Sequence, residues 1–248
     1  VYSINQPALS SCDDMYKNAK IVTPITPKIN HFSPSGFEEM YDDTVRSQHD
    51  DTYKELAELF ADETANFKAN DFGTLIHSYL ENNVNGIDST AFEPDVILFK
   101  SLSKQNIEQI KKTCHEIVTT FNNSSIGQQL NDCKMRRSRY KAEYAFKLCL
   151  EVGNDKNIIT GSIDLVYQDN DGKYEIIDYK SDRCINNEKY YGELYCYKKA
   201  LAALLPVKED SIVCSLYYLR FNQIENITAA LSKLNDEFIT RKLNVLLK

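Results

Sequence analysis

The chain has 248 residues, of which 42% are hydrophobic, and its formal net charge is -7. A chain of this length can bury one large core, and the negative charge argues against a protein that coats nucleic acid through a broad basic surface. The sequence has no run of eighteen apolar residues and does not begin like a signal peptide, so we expect a cytoplasmic protein without a membrane partner. It begins with Val1, which favours a part excised from a longer chain.

The first half of the chain is predicted to be helical. Residues 1–34 contain four of the six prolines and are interpreted as a linker or wrapping arm. We expect residues 35–248 to form one domain, with a helical part at about 35–132, a sheet core at about 136–220 and a C-terminal helix at about 227–246. Within the helical part, apolar periodicity predicts helices over residues 51–68, 70–86, 103–121 and 126–132.

The second half changes to the period of a β-strand. Alternating residues predict strands over 140–150, 157–167 and 173–180, and Asp171-Gly172 predicts a hairpin between the last two. A helix over 187–205 and a strand over 211–219 follow. This order of elements is typical of an α/β fold with a mixed sheet flanked by helices.

The predicted hairpin brings charged residues together. If it is centred near Asp171, Asp164 lies opposite Asp178 with Cβ atoms about 5 Å apart, and Lys180 shares the face of Asp178. A solvated salt-bridge ladder is the simplest interpretation. The apolar residues around both acids oppose it, because unpaired charges are costly among apolar neighbours. Magnesium, which prefers carboxylate oxygens and water, would relieve the repulsion and could activate water for phosphodiester hydrolysis.

These residues resemble a known family. Gly161-x-x-Asp164 followed by Asp178-x-Lys180 is similar to the motif of the PD-(D/E)XK nucleases. The segment from Gly73 to His77 resembles the GxxxH element of their RecB family, and residues 190–197 resemble its YxxQLxxY helix. The similarity is greatest to the C-terminal nuclease domain of AddA/RexA-type helicase–nuclease subunits, which are ATP-dependent DNases. It implies a restriction-endonuclease-like mixed sheet.

The resemblance also implies roles for single residues. It assigns a Mg²⁺ site, which Mn²⁺ or Ca²⁺ can also occupy, to His77, Asp164, Asp178 and the main-chain carbonyl of Tyr179. Lys180 becomes the catalytic lysine. The seven cysteines contain no C-x2-C pair, so we expect no iron–sulfur cluster.

Two acids have roles that the sequence leaves open. Glu143 matches an acid beside the family's metal centre, but it could equally pair with Lys141 or Lys147. Glu193 stands where the family has glutamine. It could act in catalysis by binding a second metal or pairing with Lys180, or it could repel the phosphate.

The dense basic run over residues 134–141 is a candidate DNA-binding surface. Arg136, Arg137 and Arg139 could contact the backbone and Tyr140 could stack on a base, although a solvated surface explains such a run equally well. Tyr197, the last residue of the YxxQLxxY-like helix, is also assigned to DNA binding.

The function implied by the resemblance is Mg²⁺-dependent, exonuclease-type processing of DNA ends in double-strand break repair and recombination. The chain lacks a GxxxxGK[ST] loop, so its partners would be a helicase part of the same chain and a second AddB/RexB-like subunit. Two alternatives remain: a stand-alone Cas4-like or phage exonuclease without an iron–sulfur cluster, and a catalytically lapsed module that binds DNA or a partner.

Overall fold

The structure, a computed structural model, describes residues 28–38, 69–94, 99, 102–152, 155–182 and 184–247. Among these residues the α-helices are α1 (Ala69–Val84), α2 (Lys104–Asn123), α3 (Ser125–Met135), α4 (Tyr191–Leu204), α5 (Thr228–Leu231) and α6 (Asp236–Leu246). The strands are β1 (Ile29–Phe32), β2 (Tyr140–Val152), β3 (Asp155–Gln168), β4 (Tyr174–Lys180), β5 (Ile212–Tyr218) and β6 (Gln223–Asn226). No helix in the described part of the chain is long and apolar enough to cross a membrane.

The strands form one mixed sheet, which confirms the predicted fold class. Their order is β1-β3-β4-β5-β6, and β2 pairs along the other edge of β3. The pairs β1/β3 and β4/β5 are parallel, whereas β2/β3, β3/β4 and β5/β6 are antiparallel. β1 pairs with residues 156–159 of β3, and β4 pairs with residues 165–168. Between residues 159 and 165, this edge of β3 has no strand partner within the described residues.

Helices cover both faces of the sheet. Helices α1, α2 and α3 enclose one core with residues such as Leu165 and Ile177, and α4, α5 and α6 enclose the other with residues such as Val166 and Ile176. The predicted start of α2 is confirmed, since the Ser103 side chain accepts a hydrogen bond from the Asn106 N–H and caps the helix.

The predicted regular alternation of β2 is wrong at one point. Ala142 packs in the first core and Phe146 in the second, although an unbroken strand would place both on one face. Glu143 lies between them with a φ of 46°. We attribute the reversal of faces to this left-handed residue, which interrupts the pleat.

Three further expectations are corrected or lie outside the described residues. Residues 29–32 of the predicted arm form β1, because they pair with β3 rather than crossing the surface as a linker. The predicted C-terminal helix is two helices, α5 and α6, because the Asn235 side chain accepts from the Phe238 N–H and starts a new helix. The predicted helix at 51–68 lies outside the described residues.

Candidate active site

The candidate site lies where β3 and β4 separate. Their ladder ends at the pair of Leu165 with Ile177, which is the predicted register. The next pair would join Asp164 to Asp178. Instead, Asp164 Oδ2 accepts a hydrogen bond of 2.7 Å from the Tyr179 N–H. The two aspartates therefore lie at an opening in the sheet rather than as rungs of a ladder.

Glu143 is brought to the same place by β2. It is level with Asp164, because the next pair along the ladder joins Tyr144 to Ile163. A left-handed conformation costs a residue other than glycine about 1–2 kcal/mol. Backbone strain of this kind is concentrated at functional sites, where surrounding structure maintains it.

His77 of α1 completes a group of three possible metal ligands. One ligand atom each from His77, Glu143 and Asp164 lies within 4.8 Å of the other two, and His77 Nδ1 is 3.2 Å from Asp164 Oδ1. Helix α1 approaches the sheet closely at Gly73, where a Cβ atom would lie 3.3 Å from Ser181 Oγ. The glycine of the GxxxH-like element thus permits the approach that positions His77.

The charges of His77 and Asp164 stabilise each other. Burial alone would lower the pKa of His77, but the Asp164 carboxylate raises that pKa to about 9. Burial alone would raise the pKa of Asp164, but the positive charge of His77 and their hydrogen bond hold it below its ordinary value. In the metal-free protein the pair is an ion pair, and a bound cation would take the place of the imidazole proton.

Asp178 belongs to a second group, which we call the buried lysine cluster: Lys180, Asp178, Glu193, Tyr190 and Tyr197. Lys180 Nζ lies 2.7 Å from Asp178 Oδ2 and 2.7 Å from Glu193 Oε2. The ammonium also lies 4.0 Å from the centre of the Tyr190 ring. Of the roles left open for Glu193, the structure shows the pairing with Lys180.

One ammonium in this cluster faces two buried carboxylates. Asp178 is 2% exposed and Glu193 is 5% exposed. Burial raises the pKa of Asp178 well above its usual range, and the opposing charge of Lys180 does not cancel the effect. Burial would lower the pKa of Lys180, but the two carboxylates together raise it above its ordinary value. The cluster therefore sets two buried carboxyl groups against one ammonium, and its charges are not balanced when both carboxyls are ionised.

The same imbalance makes the site suitable for a divalent cation. Asp178 Oδ2 is buried and accepts no well-directed hydrogen bond from the described residues, although Lys180 Nζ is close to it. With Asp164, Glu143 and one imidazole nitrogen nearby, the donors are the oxygen-rich set that Mg²⁺ and Mn²⁺ accept. The residues present thus fit a metal, with the carbonyl of Tyr179 as a predicted further ligand.

Tyr197 is a correction to the predicted DNA-binding residues. It is 5% exposed, its ring packs edge-on against Phe146, and its hydroxyl donates to Glu193 Oε1 at 3.0 Å. A buried ring cannot stack on a base. In this structure Tyr197 instead orients the carboxylate that holds Lys180.

The arginines of the basic run lie far from Lys180, although Lys141 at the end of the run is two residues from Glu143 on β2. Arg139 donates to the Tyr174 hydroxyl at the start of β4, whereas Lys180 is at the end of the same strand, about 20 Å away along extended chain. Tyr140 is 39% exposed, with Lys134 Nζ 5.6 Å from its ring centre. Contact between this run and DNA remains a prediction.

The sequence did not identify the charged residues that border Lys180. Lys189 Nζ lies 3.7 Å from Glu38 Oε2, 3.3 Å from Asp182 Oδ1 and 4.9 Å from the Tyr190 ring centre. Burial, followed by the charge of Glu193, raises the pKa of Glu38. Asp182 and Lys189 follow the D-x-K motif closely in the sequence, and this short spacing was the only signal that they lie near Lys180. Glu38 is distant in the sequence and had no such signal.

Glu38 reaches the site because its segment packs on two glycines. A Cβ atom at Gly161 would lie 2.7 Å from Pro34 Cγ, and one at Gly192 would lie 2.8 Å from the carbonyl oxygen of Phe37. The 3-10 helix of residues 34–37 therefore contacts both β3 and α4.

Comparison with known proteins identifies one family that covers most of the chain. The model of the PD-(D/E)XK nuclease superfamily matches residues 51–243. An ATP-dependent helicase/nuclease from Anoxybacillus flavithermus (strain DSM 21510 / WK1) is 32% identical over 97 residues, which cover 36% of this chain and 8% of that protein. The crystal structure of SSO0001 matches 68% of this chain and 84% of its own, with 13% identity and a TM-score of 0.29.

Proposed function

Because this chain belongs to the PD-(D/E)XK nuclease superfamily, we propose that it is a Mg²⁺-dependent DNA nuclease that hydrolyses phosphodiester bonds at DNA ends. The observation that carries the proposal is the convergence of His77, Glu143 and Asp164 beside the buried lysine cluster. Three strands and two helices supply these groups. A salt-bridge ladder would not require a strained glutamate or a buried excess of carboxylates.

Each side chain has a part in this proposal. His77, Glu143, Asp164 and Asp178 would hold the cation, with the carbonyl of Tyr179. A bound Mg²⁺ would polarise the phosphate and lower the pKa of a water molecule. Lys180, a fixed ammonium, would orient that water and stabilise the negative charge that develops on the phosphate oxygens.

We propose that the basic run supplies DNA contacts in this chain. We assign backbone contacts to Arg136, Arg137 and Arg139, with Tyr140 stacking on a base. Support for this surface comes from its charge against an acidic background. It would guide DNA rather than contact the phosphate that is cleaved.

The wider role rests on a partial likeness. The chain spans 8% of the length of the relative named a helicase/nuclease. We infer that it is the nuclease domain of such an enzyme, acting in double-strand break repair and recombination. Its partners would then be a helicase part of the same chain and a second AddB/RexB-like subunit.

One assay tests the activity. End-labelled single-stranded and double-stranded DNA is incubated with the protein and either Mg²⁺ or EDTA, using wild type, Asp164→Ala and Lys180→Ala. We expect cutting with Mg²⁺ only, and a loss of at least about 100-fold in both variants. Metal-independent cutting, or full activity in both variants, would contradict the proposal.

The matched control is Lys199→Ala. Lys199 Nζ also lies between two carboxylates, 3.1 Å from Glu209 Oε2 and 2.9 Å from Asp236 Oδ1, and 5.3 Å from the Tyr195 ring centre. We call Lys199, Glu209, Asp236 and Tyr195 the surface lysine cluster. Lys199→Ala should cut DNA as the wild type does. If the protein folds and binds metal but cuts no DNA, the alternative of a catalytically lapsed module that binds DNA or a partner is favoured.

A further inference from the structure

Glu193 gives Lys180 a second counter-ion, so Asp178 is available to a bound cation. We propose that Glu193 is a positioning residue: it remains the counter-ion of Lys180 when Asp178 turns to a bound divalent cation, and it thereby sets the cation concentration that the site requires. The inference rests on the proposed metal site and names a determinant of its affinity. It concerns the buried lysine cluster alone.

Lys180 has two carboxylate partners at the same distance, and of these Glu193 accepts the well-directed hydrogen bond. Its Nζ is 2.7 Å from an oxygen of Asp178 and 2.7 Å from an oxygen of Glu193. The Tyr190 ring occupies a third side of the ammonium. If Asp178 is withdrawn, the ammonium retains one carboxylate and one ring, so a buried charge is not left unpaired.

Glu193 is fixed on its other side as well, so it does not exchange roles with Asp178. Its other oxygen, Oε1, accepts from the hydroxyl of Tyr197, one helical turn further along α4. Both residues are buried. Because the tyrosine fixes the carboxylate, Glu193 stays with Lys180, while Asp178, two residues before Lys180 on β4, lies at the opening between β3 and β4.

A neutral side chain at position 193 would affect both Lys180 and the cation. In Glu193→Gln, Lys180 would depend on Asp178 for its only full counter-charge. A cation would then compete with Lys180 for Asp178 and would also meet less negative charge nearby. Both effects weaken cation binding.

The stability of the metal-free protein should respond in the opposite direction. Wild type buries two carboxylates against one ammonium, and removing one charge leaves a balanced pair. Glutamine keeps the size of the side chain and an oxygen that can accept from Tyr197. A residue with a purely structural role would instead lose stability when its ion pair is removed.

The experiment measures both quantities. Mn²⁺ or Mg²⁺ binding is titrated by calorimetry, and urea unfolding is followed in EDTA, for wild type, Glu193→Gln, Tyr197→Phe and the control Glu209→Gln. We expect Glu193→Gln to bind the cation about tenfold more weakly, within the range known for groups that support metal ligands. Its urea midpoint in EDTA should equal or exceed that of wild type.

The other variants complete the test. Tyr197→Phe removes only the hydroxyl that fixes Glu193 and should weaken cation binding about threefold. Glu209→Gln, the corresponding change in the surface lysine cluster, should leave cation binding unaltered. Wild-type affinity in Glu193→Gln, or a lower urea midpoint in EDTA, would overturn the inference. If Glu193→Gln does not fold, unchanged affinity in Tyr197→Phe would overturn it. A wild type that binds no cation would instead refute the proposed function.

Discussion

The molecule contains two lysines with nearly the same partners in different surroundings. Lys180 and Lys199 each lie within 3.1 Å of two carboxylates, and each lies over a tyrosine ring. In each cluster a tyrosine hydroxyl orients one carboxylate: Tyr197 donates to Glu193 and Tyr195 donates to Asp236. Each cluster therefore contains one ammonium, two carboxyl groups and a tyrosine hydroxyl that donates to one of them.

Their burial differs. In the buried lysine cluster the side chains of Asp178 and Glu193 are 3% and 6% exposed, whereas in the surface lysine cluster those of Glu209 and Asp236 are 33% and 83% exposed. Water compensates the extra negative charge at the surface, and it cannot do so in the interior. The partners and distances alone therefore do not show which cluster is chemically active. Burial of uncompensated charge distinguishes them.

The largest expected difference is in catalysis. Asp178→Asn should reduce DNA cleavage by at least about 100-fold, because it removes a carboxylate that would hold the cation. Asp236→Asn should leave cleavage at the wild-type rate, since its cluster is solvated and apart from the opening in the sheet. The rates are measured on end-labelled DNA with saturating Mg²⁺. Equal rates for the two variants would show that burial does not separate the clusters.

A second difference concerns the free energy of unfolding in EDTA. Lys180→Met would leave two buried carboxylates without a counter-ion and should cost about 3 kcal/mol. Lys199→Met should change stability by about 1 kcal/mol or less, as for exposed ion pairs. Urea denaturation at neutral pH measures both. A loss for Lys199→Met as large as that for Lys180→Met would contradict the distinction.

The part of the site that the sequence predicted is the part made by local pairing. Asp164, Asp178 and Lys180 lie on one hairpin, and its turn and alternation fix their register. His77 required a second element, and only the resemblance connected it to the strands. The partner of Glu193 depends on how α4 packs against β4, and the periodicity of the sequence does not determine this packing. The pairing of Glu193 with Lys180 therefore remained one of several alternatives.

The features that escaped prediction depend on contacts between distant parts of the chain. Strands β1 and β6 have four residues each, too few for an alternation signal, and they exist because longer strands pair with them. The left-handed conformation of Glu143 is strained, and no local sequence preference predicts it. The surface lysine cluster joins α4 to the start of α6, and Glu38 reaches the site through glycines of β3 and α4.

The smallest expected effect is the pH dependence of the surface lysine cluster. Hydrogen bonds from Lys199 and then Tyr195 hold the pKa of Asp236 below its ordinary value of 3.8. Its folded form is thus the weaker proton binder, so the stabilisation is present above pH 3.8 and is lost as the pH falls through the lowered folded pKa. Solvent screens this exposed group, so its contribution at pH 7 should be about 0.5 kcal/mol or less. The free energies of unfolding of wild type and Asp236→Asn, measured with urea, should differ by this small amount at pH 7 and converge as the pH falls through the lowered pKa. A gap that stays the same as the pH falls would show that the ionised carboxylate does not supply this stabilisation.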